Sequence, residues 1–567
     1  MTTKKLVALL IGITLFAYVS SLNNPFIWDD EQFIQKNVYV QNFDVEKIFT
    51  TNTVAGAGLE SNYYRPLTSL SFAIDTKLWG QNPFGFHITN FLLHVGAGII
   101  LFFVLQQLGL SKLFSFAVSS IFLVHPIQTE AITYINSRGD SQYTFFFFLS
   151  LLVFLHAISA KKKRVLLYIL SIVSYVLSIF SKETAMAGFL VFIGIIGFHY
   201  VKTKKIALVS ILMASVITVI SVGYFLLRLT LLNFNNTLNF YNTTNFYSTH
   251  LFVRLFTFTK VVWIYIGLLL FPYPLHMERE VGLVTSFISG WVAAFILLII
   301  GLIILIIWEI KKYKTAVIGL GFLLSASFLV PVSGIIPING ILYEHWLYIP
   351  MVGFFIILFR LIQIAAGLVG KAAATKLGTL GIMLLCCICV VLTIRQNNIW
   401  SDPLTFYTYT LGFAPNSSRL HNNLGMTYAD AGHLDASIVE YKKAIALTPD
   451  LPQVYNNLGI SYQRKGDVKN AEVALQKSLS LAPHFEAAQI NLMALYLKEE
   501  KYAKALPLLQ ALAPYSQNDV RFLYTYGKTL WKLQQYDAAE KQFDKAVAAS
   551  GNNADVIAQI NQLKASR

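Results

Sequence analysis

Long apolar stretches separated by short basic clusters constrain this chain more than any other feature. The first apolar run, Leu6 to Leu22, is followed by many more. Several exceed the roughly 18 apolar residues that mark a candidate membrane span. The chain is 55% hydrophobic and only 13% charged, so its net charge of +15 is carried in a few places. Lys161-Lys162-Lys163-Arg164, Lys202 with Lys204-Lys205, and Lys311-Lys312 with Lys314 all lie between apolar runs. Such clusters follow the rule that cytoplasmic loops are positive. They do not form a groove for nucleic acid. Cys386, Cys387 and Cys389 share one late apolar run and imply no disulfide or zinc framework. The N-terminus imitates a signal peptide, but no small-x-small site precedes Asn23, so it reads as an uncleaved span.

With Lys4-Lys5 inside, residues 23–86 fall outside. Further spans are expected at 87–108, 113–126, 142–160, 165–181, 186–201, 206–232, 288–309, 315–334, 346–369 and 377–394. The stretch 251–272 is apolar enough to cross but carries Arg254 and Lys260 and ends Pro272-Tyr273-Pro274. A crossing there would put Lys311, Lys312 and Lys314 outside. It therefore reads as a re-entrant or interfacial helix. The fold expected is all-α: about 11 transmembrane helices plus that one, in residues 1–396.

After a linker at 397–417, residues 418–567 repeat every 34 residues. Leu424-Gly425-x-x-Tyr428 returns as Leu458-Gly459-x-x-Tyr462 and as Leu492-x-x-x-Tyr496. A fourth unit has Gly527, Ala539, Phe543 and Ala546, and Ala471, Ala505 and Ala539 share one position. This is a tetratricopeptide (TPR) solenoid of about four units, which would bind a peptide or partner protein or serve as a passive spacer.

Polar residues recur in the outward segments. They are Trp28-Asp29-Asp30, Tyr64-Arg65-Pro66, His125-Pro126-x-x-Thr129-Glu130, Arg138-Gly139-Asp140, Ser181-Lys182-Glu183 and Glu344-His345-Trp346. Each has a structural reading beside a functional one. Asp30 would cap a helix near Glu31. Glu130 or Asp140 would pair with Arg138. Lys182-Glu183 would be an interfacial pair, His94 a packing histidine and His125 a turn residue. No cluster has the spacing of a zinc site, and no P-loop is present.

These motifs, in this order and with Asn82-Pro83-Phe84-Gly85-Phe86-His87 and Glu344-x-x-Leu347-Tyr348-x-Pro350, resemble the transmembrane and TPR repeat-containing O-mannosyltransferases. The resemblance implies a GT-C glycosyltransferase fold with its active site on the non-cytoplasmic face. It implies a polyprenyl- or dolichyl-phosphate-linked donor, often of mannose, and a Ser/Thr hydroxyl of an extracytoplasmic protein as acceptor. It maps the catalytic carboxylate to Asp29 or Asp30, and a second acidic residue to Glu130. Sugar transfer from a lipid phosphate needs a carboxylate base, cations at the leaving phosphate and aromatic faces. Asp29 or Asp30 suits the first role. Arg65, Arg138, Lys182 and His345, with Glu130 and Glu344, suit donor-phosphate or acceptor binding. Trp28, Tyr64 and Trp346 suit sugar or lipid stacking. Where relatives carry Glu-Arg this chain has Glu344-His345, which replaces a permanent cation by a titratable group. No metal is assigned, although relatives of this fold differ on divalent ions. The array would hold the acceptor or a partner. Two alternatives stand: transfer to an envelope glycan or lipid, and a non-catalytic TPR scaffold. The location expected is a bacterial or archaeal cytoplasmic membrane with the TPR array outside, or the endoplasmic reticulum in a eukaryote.

Overall fold

A computed structural model describes residues 1–160, 162–232, 246–336, 338, 340–366 and 371–566. Lys161, Pro337 and the end of the expected span 346–369 lie outside the described residues. The described residues are helical, with no strand among them, and divide into two compact units, 1–413 and 414–567.

In the first unit, each of the eleven expected spans contains a helix. Nine described helical segments are long and apolar enough to cross a membrane, among them Thr3–Asn23, Pro83–Gln107, Ile135–Ser159 and Gly290–Tyr313. The protein is thus built as a multi-pass membrane protein. Helix boundaries follow local chemistry. Pro83 opens one helix with Asn82 accepting from the Phe84 N–H, and Ser111 accepts from Phe114 N–H at the next. Pro126 stops helix Lys112–Val124 after 13 residues, because proline forces the preceding His125 out of helical geometry. That helix, Val317–Val332 and Pro350–Ala366 fall short of a full span by length alone.

The helix ends separate into a basic end and a polar end. The Lys112, Arg164, Lys202–Lys205 and Lys311–Lys314 connections make up the first. At the second, the segments between helices bond to one another. Asn24 donates to the Asn397 carbonyl, Asn136 N–H to Asp30, Arg65 to Glu183, and His276 N–H to Glu344.

Helix Leu251–Leu270 qualifies as a span by length and composition, but both of its ends bond at the polar end. Arg254 near its start donates to the Gly334 carbonyl at 2.6 Å. At its other end, the Leu269 carbonyl lies 3.2 Å from His125 Nε2, and the Tyr265 hydroxyl donates to the Tyr343 carbonyl. Gly334 and His125 each follow a helix that rises from the basic end. The helix therefore lies along the polar end, and the chain next descends through Gly290–Tyr313. The stretch 397–417, read as a linker, contains helix Pro403–Leu411, whose Phe406 and Tyr407 pack on Trp28.

The second unit has four helix pairs: Ser418–Asp430 with Leu434–Leu447, Pro452–Lys465 with Val468–Leu481, Glu486–Lys498 with Tyr502–Leu512, and Val520–Lys532 with Tyr536–Ala549. Helix Ala554–Ala565 follows. The repeat glycines mark close approach within a pair. A Cβ on Gly425 would sit 2.7 Å from the Tyr441 ring, and one on Gly459 2.7 Å from Leu475. Ala471, Ala505 and Ala539, at one repeat position of the second helices, are wholly buried.

Candidate functional site

The loop after the first helix separates two adjacent carboxylates. Trp28 has a φ of +61°, unusual for a residue with a side chain, and the chain then turns into a π-helical segment, Glu31–Gln35. Asp30 is 1% exposed. Its Oδ2 accepts the Ile27 N–H at 2.9 Å and its Oδ1 the Asn136 N–H at 2.8 Å. It does not cap the following helix with its side chain. It ties the first outward loop to the second. Burial pushes its carboxyl up to about 8 against the pull of those two donors. Asp29 is half-buried. Its N–H donates to the Tyr134 hydroxyl, and its charge is felt by Tyr63, which also feels Arg65 and Glu183.

Arg65 and Lys182 each hold a carboxylate. Arg65 Nε and Nη2 donate to Glu183 at 2.9 and 2.6 Å, with the guanidinium over the Tyr63 ring. Burial alone would lower the Arg65 pKa, but the Glu183 charge more than offsets it and keeps the guanidinium protonated. Lys182 Nζ bridges both Asp140 oxygens at 2.7 Å. The two neighbours in sequence thus take different partners rather than each other. No bond from Arg65 Nη1 is recorded among the described residues, and Lys182 keeps one N–H beyond its two bonds to Asp140.

Glu130 is 2% exposed and gathers three donors. Its Oε2 accepts the Glu344 and His345 N–H groups at 3.0 and 3.1 Å, and its Oε1 pairs with His345 Nδ1 at 2.7 Å. A carboxylate receiving backbone N–H groups favours hydrogen on Nδ1, which leaves Nε2 as a lone pair. Tyr343 stacks on the imidazole at 5.4 Å. Burial, then the Lys182 charge, lowers His345 to about 3. Burial raises both Glu130 and Glu344. Glu344 accepts from Arg279 at 2.6 Å and from the His276 N–H at 2.8 Å. A permanent cation is therefore present beside Glu344, supplied by Arg279 from a distant loop rather than by residue 345.

Arg138, expected at the donor phosphate, is enclosed instead. It is 0% exposed and pairs with Asp75 at 2.6 Å. It also donates to Asn90, Ser71 and the Phe86 carbonyl, and lies over the Phe72 ring. Neither Glu130 nor Asp140 is its partner. Such a closed set of donors locks helices together and leaves little to offer a ligand. The expected stacking residues are also engaged within the protein. Trp28 packs on Phe406 and Tyr407. Tyr64 is buried, donates to the Phe49 carbonyl and packs edge-on to Phe180. Trp346 packs edge-on to Tyr343 and His345. His94 bonds the Tyr348 hydroxyl and the Leu123 carbonyl, a satisfied core histidine. His125 closes the turn at Pro126.

Asp29, Tyr63, Arg65, Glu130, Asp140, Lys182, Glu183 and His345 thus share one electrostatic neighbourhood at the polar end. Sequence reasoning missed Asp75, Arg279 and Tyr343, and gave Tyr63 of the first outward loop no role. Asp75 and Arg279 have a weak signal, as charges beside apolar helices that demand partners.

Fold and site together define a multi-pass helical membrane protein with a buried ionic site at one end and a C-terminal TPR solenoid. TPR families match residues 425–466, 452–485 and 496–563. Over most of its length the chain is similar to proteins named protein O-mannosyl-transferase, in agreement with the resemblance carried by its motifs. One, from Caenorhabditis elegans, is 25% identical over 458 residues, covering 77% of this chain and 62% of that protein. Protein O-mannosyl-transferase TMTC4 of Homo sapiens is 27% identical over 493 residues, covering 76% of this chain and 65% of its own. Protein O-mannosyl-transferase TMTC1 of Homo sapiens is 34% identical over 155 residues, 26% of this chain and 17% of its own. The chain thus spans less than two thirds of the length of these curated relatives. The solved MamA structure matches 27% of this chain and 84% of its own at 24% identity, with a TM-score of 0.25.

Proposed function

We propose that this protein is a GT-C-type glycosyltransferase. It moves a hexose, mannose by analogy with its named relatives, from a polyprenyl-phosphate-linked donor to Ser/Thr hydroxyls of extracytoplasmic proteins. The observation that carries this reading is the gathering of Asp29, Arg65, Lys182 and the Glu130–His345 pair at the end of the span bundle opposite the basic loops. The basic loops orient that end, and the TPR array after the last span, away from the cytoplasm.

Asp29 serves as the base. Two observations support Asp29 over Asp30 in the role: each Asp30 oxygen accepts a backbone N–H, and burial raises its carboxyl, which disfavours the charged form. The acceptor oxygen attacks the anomeric carbon as Asp29 takes its proton. The bond from that carbon to the phosphate oxygen breaks, and the lipid phosphate leaves with the electron pair. Remaining N–H donors on Arg65 and Lys182 stabilise the charge that grows there. In-line attack inverts the anomeric centre. No metal is assigned to these steps.

Purified protein, supplied with radiolabelled polyprenyl-phosphate mannose and a Ser/Thr-rich peptide, tests the donor. The reading expects label on the peptide from the lipid donor and none from nucleotide-linked mannose. Label from the nucleotide donor alone contradicts it. Label on a glycan or lipid acceptor but not on peptide moves the assignment to envelope decoration.

A further inference from the structure

Two histidines of the span bundle spend both ring nitrogens inside the protein. His94 bonds the Tyr348 hydroxyl and the Leu123 carbonyl. His125 bonds the Ile127 N–H and the Leu269 carbonyl. His345 differs. Its Nδ1 meets Glu130 Oε1 at 2.7 Å, and its Nε2 has no partner among the described residues. That nitrogen is not sealed in the interior either. The His345 side chain is 16% exposed, against 2% for Glu130.

The imidazole is held on several sides. Glu130 is itself pinned, since its Oε2 accepts the Glu344 and His345 N–H groups. Tyr343 lies nearly parallel to the ring, at an interplanar angle of 20°, and Trp346 meets it edge-on. The Tyr343 carbonyl accepts from the Tyr265 hydroxyl, which ties down the stacking residue in turn. The direction of Nε2 is thus set before any ligand arrives, which lowers the ordering cost of binding. Two backbone donors favour the ionised form of Glu130, and an ionised carboxylate has no hydrogen to give. The hydrogen therefore sits on Nδ1, and Nε2 can only accept.

Lys182 and Arg65 are the cations whose charge this ring feels. Both offer N–H groups alone, which suit the oxygens of a phosphodiester. A lone pair on Nε2 would repel those oxygens. What it can bond is an O–H, and the part of a lipid-phosphate sugar that carries O–H groups is the sugar. We propose that His345 is a specificity-determining residue for the donor sugar: its Nε2 accepts a hydrogen bond from one hydroxyl of the hexose, beside the Lys182 and Arg65 donors that face the phosphate. The inference rests on the function proposed above and replaces a phosphate contact at His345 by a sugar contact.

Transfer kinetics on the full-length protein in detergent test it. The donors are polyprenyl-phosphate mannose and its single-deoxy analogues, one for each free hydroxyl, with a Ser/Thr-rich peptide as acceptor. With the wild type, one analogue is expected to fall about ten-fold below the mannose donor in kcat/KM. In His345→Ala that analogue and the mannose donor should come within about two-fold of each other, while the other analogues keep their wild-type ratios. A merely structural role lowers every donor together and leaves the ratios alone. His345→Gln, whose amide oxygen can accept, should restore part of the discrimination, and His345→Arg, which has donors only, should not. Both variants fill the position, so the ratios stay readable if His345→Ala folds poorly. Unchanged donor ratios in all three variants overturn the inference, and so does discrimination retained by His345→Arg. Unchanged ratios with a raised KM for the peptide would move the bond to the acceptor hydroxyl, which also overturns the sugar assignment. No transfer from any lipid donor by the wild type overturns the function proposed above and the inference with it; transfer without coupling to one analogue overturns the inference alone.

Discussion

Glu130 and His345 lie 215 residues apart in sequence and bond at 2.7 Å between Oε1 and Nδ1. The pair fixes which imidazole nitrogen carries hydrogen, and it sets a neutral ring where an arginine would place a fixed charge. His345 is surrounded by Lys182, Arg65 and Asp140 as well as Glu130. Burial lowers it to about 3, while an unfolded histidine titrates near 6.5. Between those values the unfolded chain binds the proton and the folded chain does not, so this group's contribution to stability is lost as pH falls from about 6.5 toward about 3. His345→Gln removes that contribution. In thermal unfolding scans from pH 7 to pH 4.5, the variant should lose less of its midpoint than the wild type does. An equal loss would mean that His345 does not titrate in this way.

Asp30 has the opposite sign. Burial raises it to about 8, against an unfolded value near 3.9. The folded chain holds the proton that the unfolded chain releases, so stability falls as pH rises through about 8. Asp30→Asn cannot titrate. It should unfold at a lower temperature at pH 6, because one of the two backbone donors loses its oxygen acceptor, and its midpoint should decline less between pH 6 and pH 9. Parallel pH curves for the two proteins would refute the assignment.

Arg138 and Asp75 form a buried pair within a closed set of bonds. Removing one partner of such a pair costs about 3–5 kcal/mol, because the other charge is left buried. Arg138→Met should sharply reduce the amount of folded protein in the membrane. Arg138→Met with Asp75→Leu should recover much of it, as detergent-resistant size-exclusion profiles would show. Recovery of folded protein without recovery of any measured activity would point to a further role for the arginine.

The span bundle was legible because a membrane demands long apolar runs, and each of the eleven expected stretches holds a helix. The placement of 251–272 along one face was legible through its charges and the Lys311–Lys314 cluster that follows. The TPR units were legible because Gly425, Gly459 and Gly527 mark helix contacts too close for a Cβ. Pairing was not legible. Arg138 had acidic neighbours at Glu130 and Asp140, yet it reaches Asp75, 63 positions away by number. Glu344 takes Arg279 from a stretch with no recognisable motif. Asp29 and Asp30 look equivalent in a string of letters, and only the turn at Trp28 shows which carboxylate is enclosed.

The central claim is that Asp29, and not Asp30, is the base for sugar transfer to protein. Glycopeptide mass spectrometry of extracytoplasmic proteins measures it most directly, in cells making the wild type, Asp29→Asn or Asp30→Asn at matched membrane levels. The account predicts that hexose-sized additions on Ser and Thr vanish with Asp29→Asn and persist with Asp30→Asn in proportion to the folded protein. Unchanged hexose additions with Asp29→Asn would contradict it.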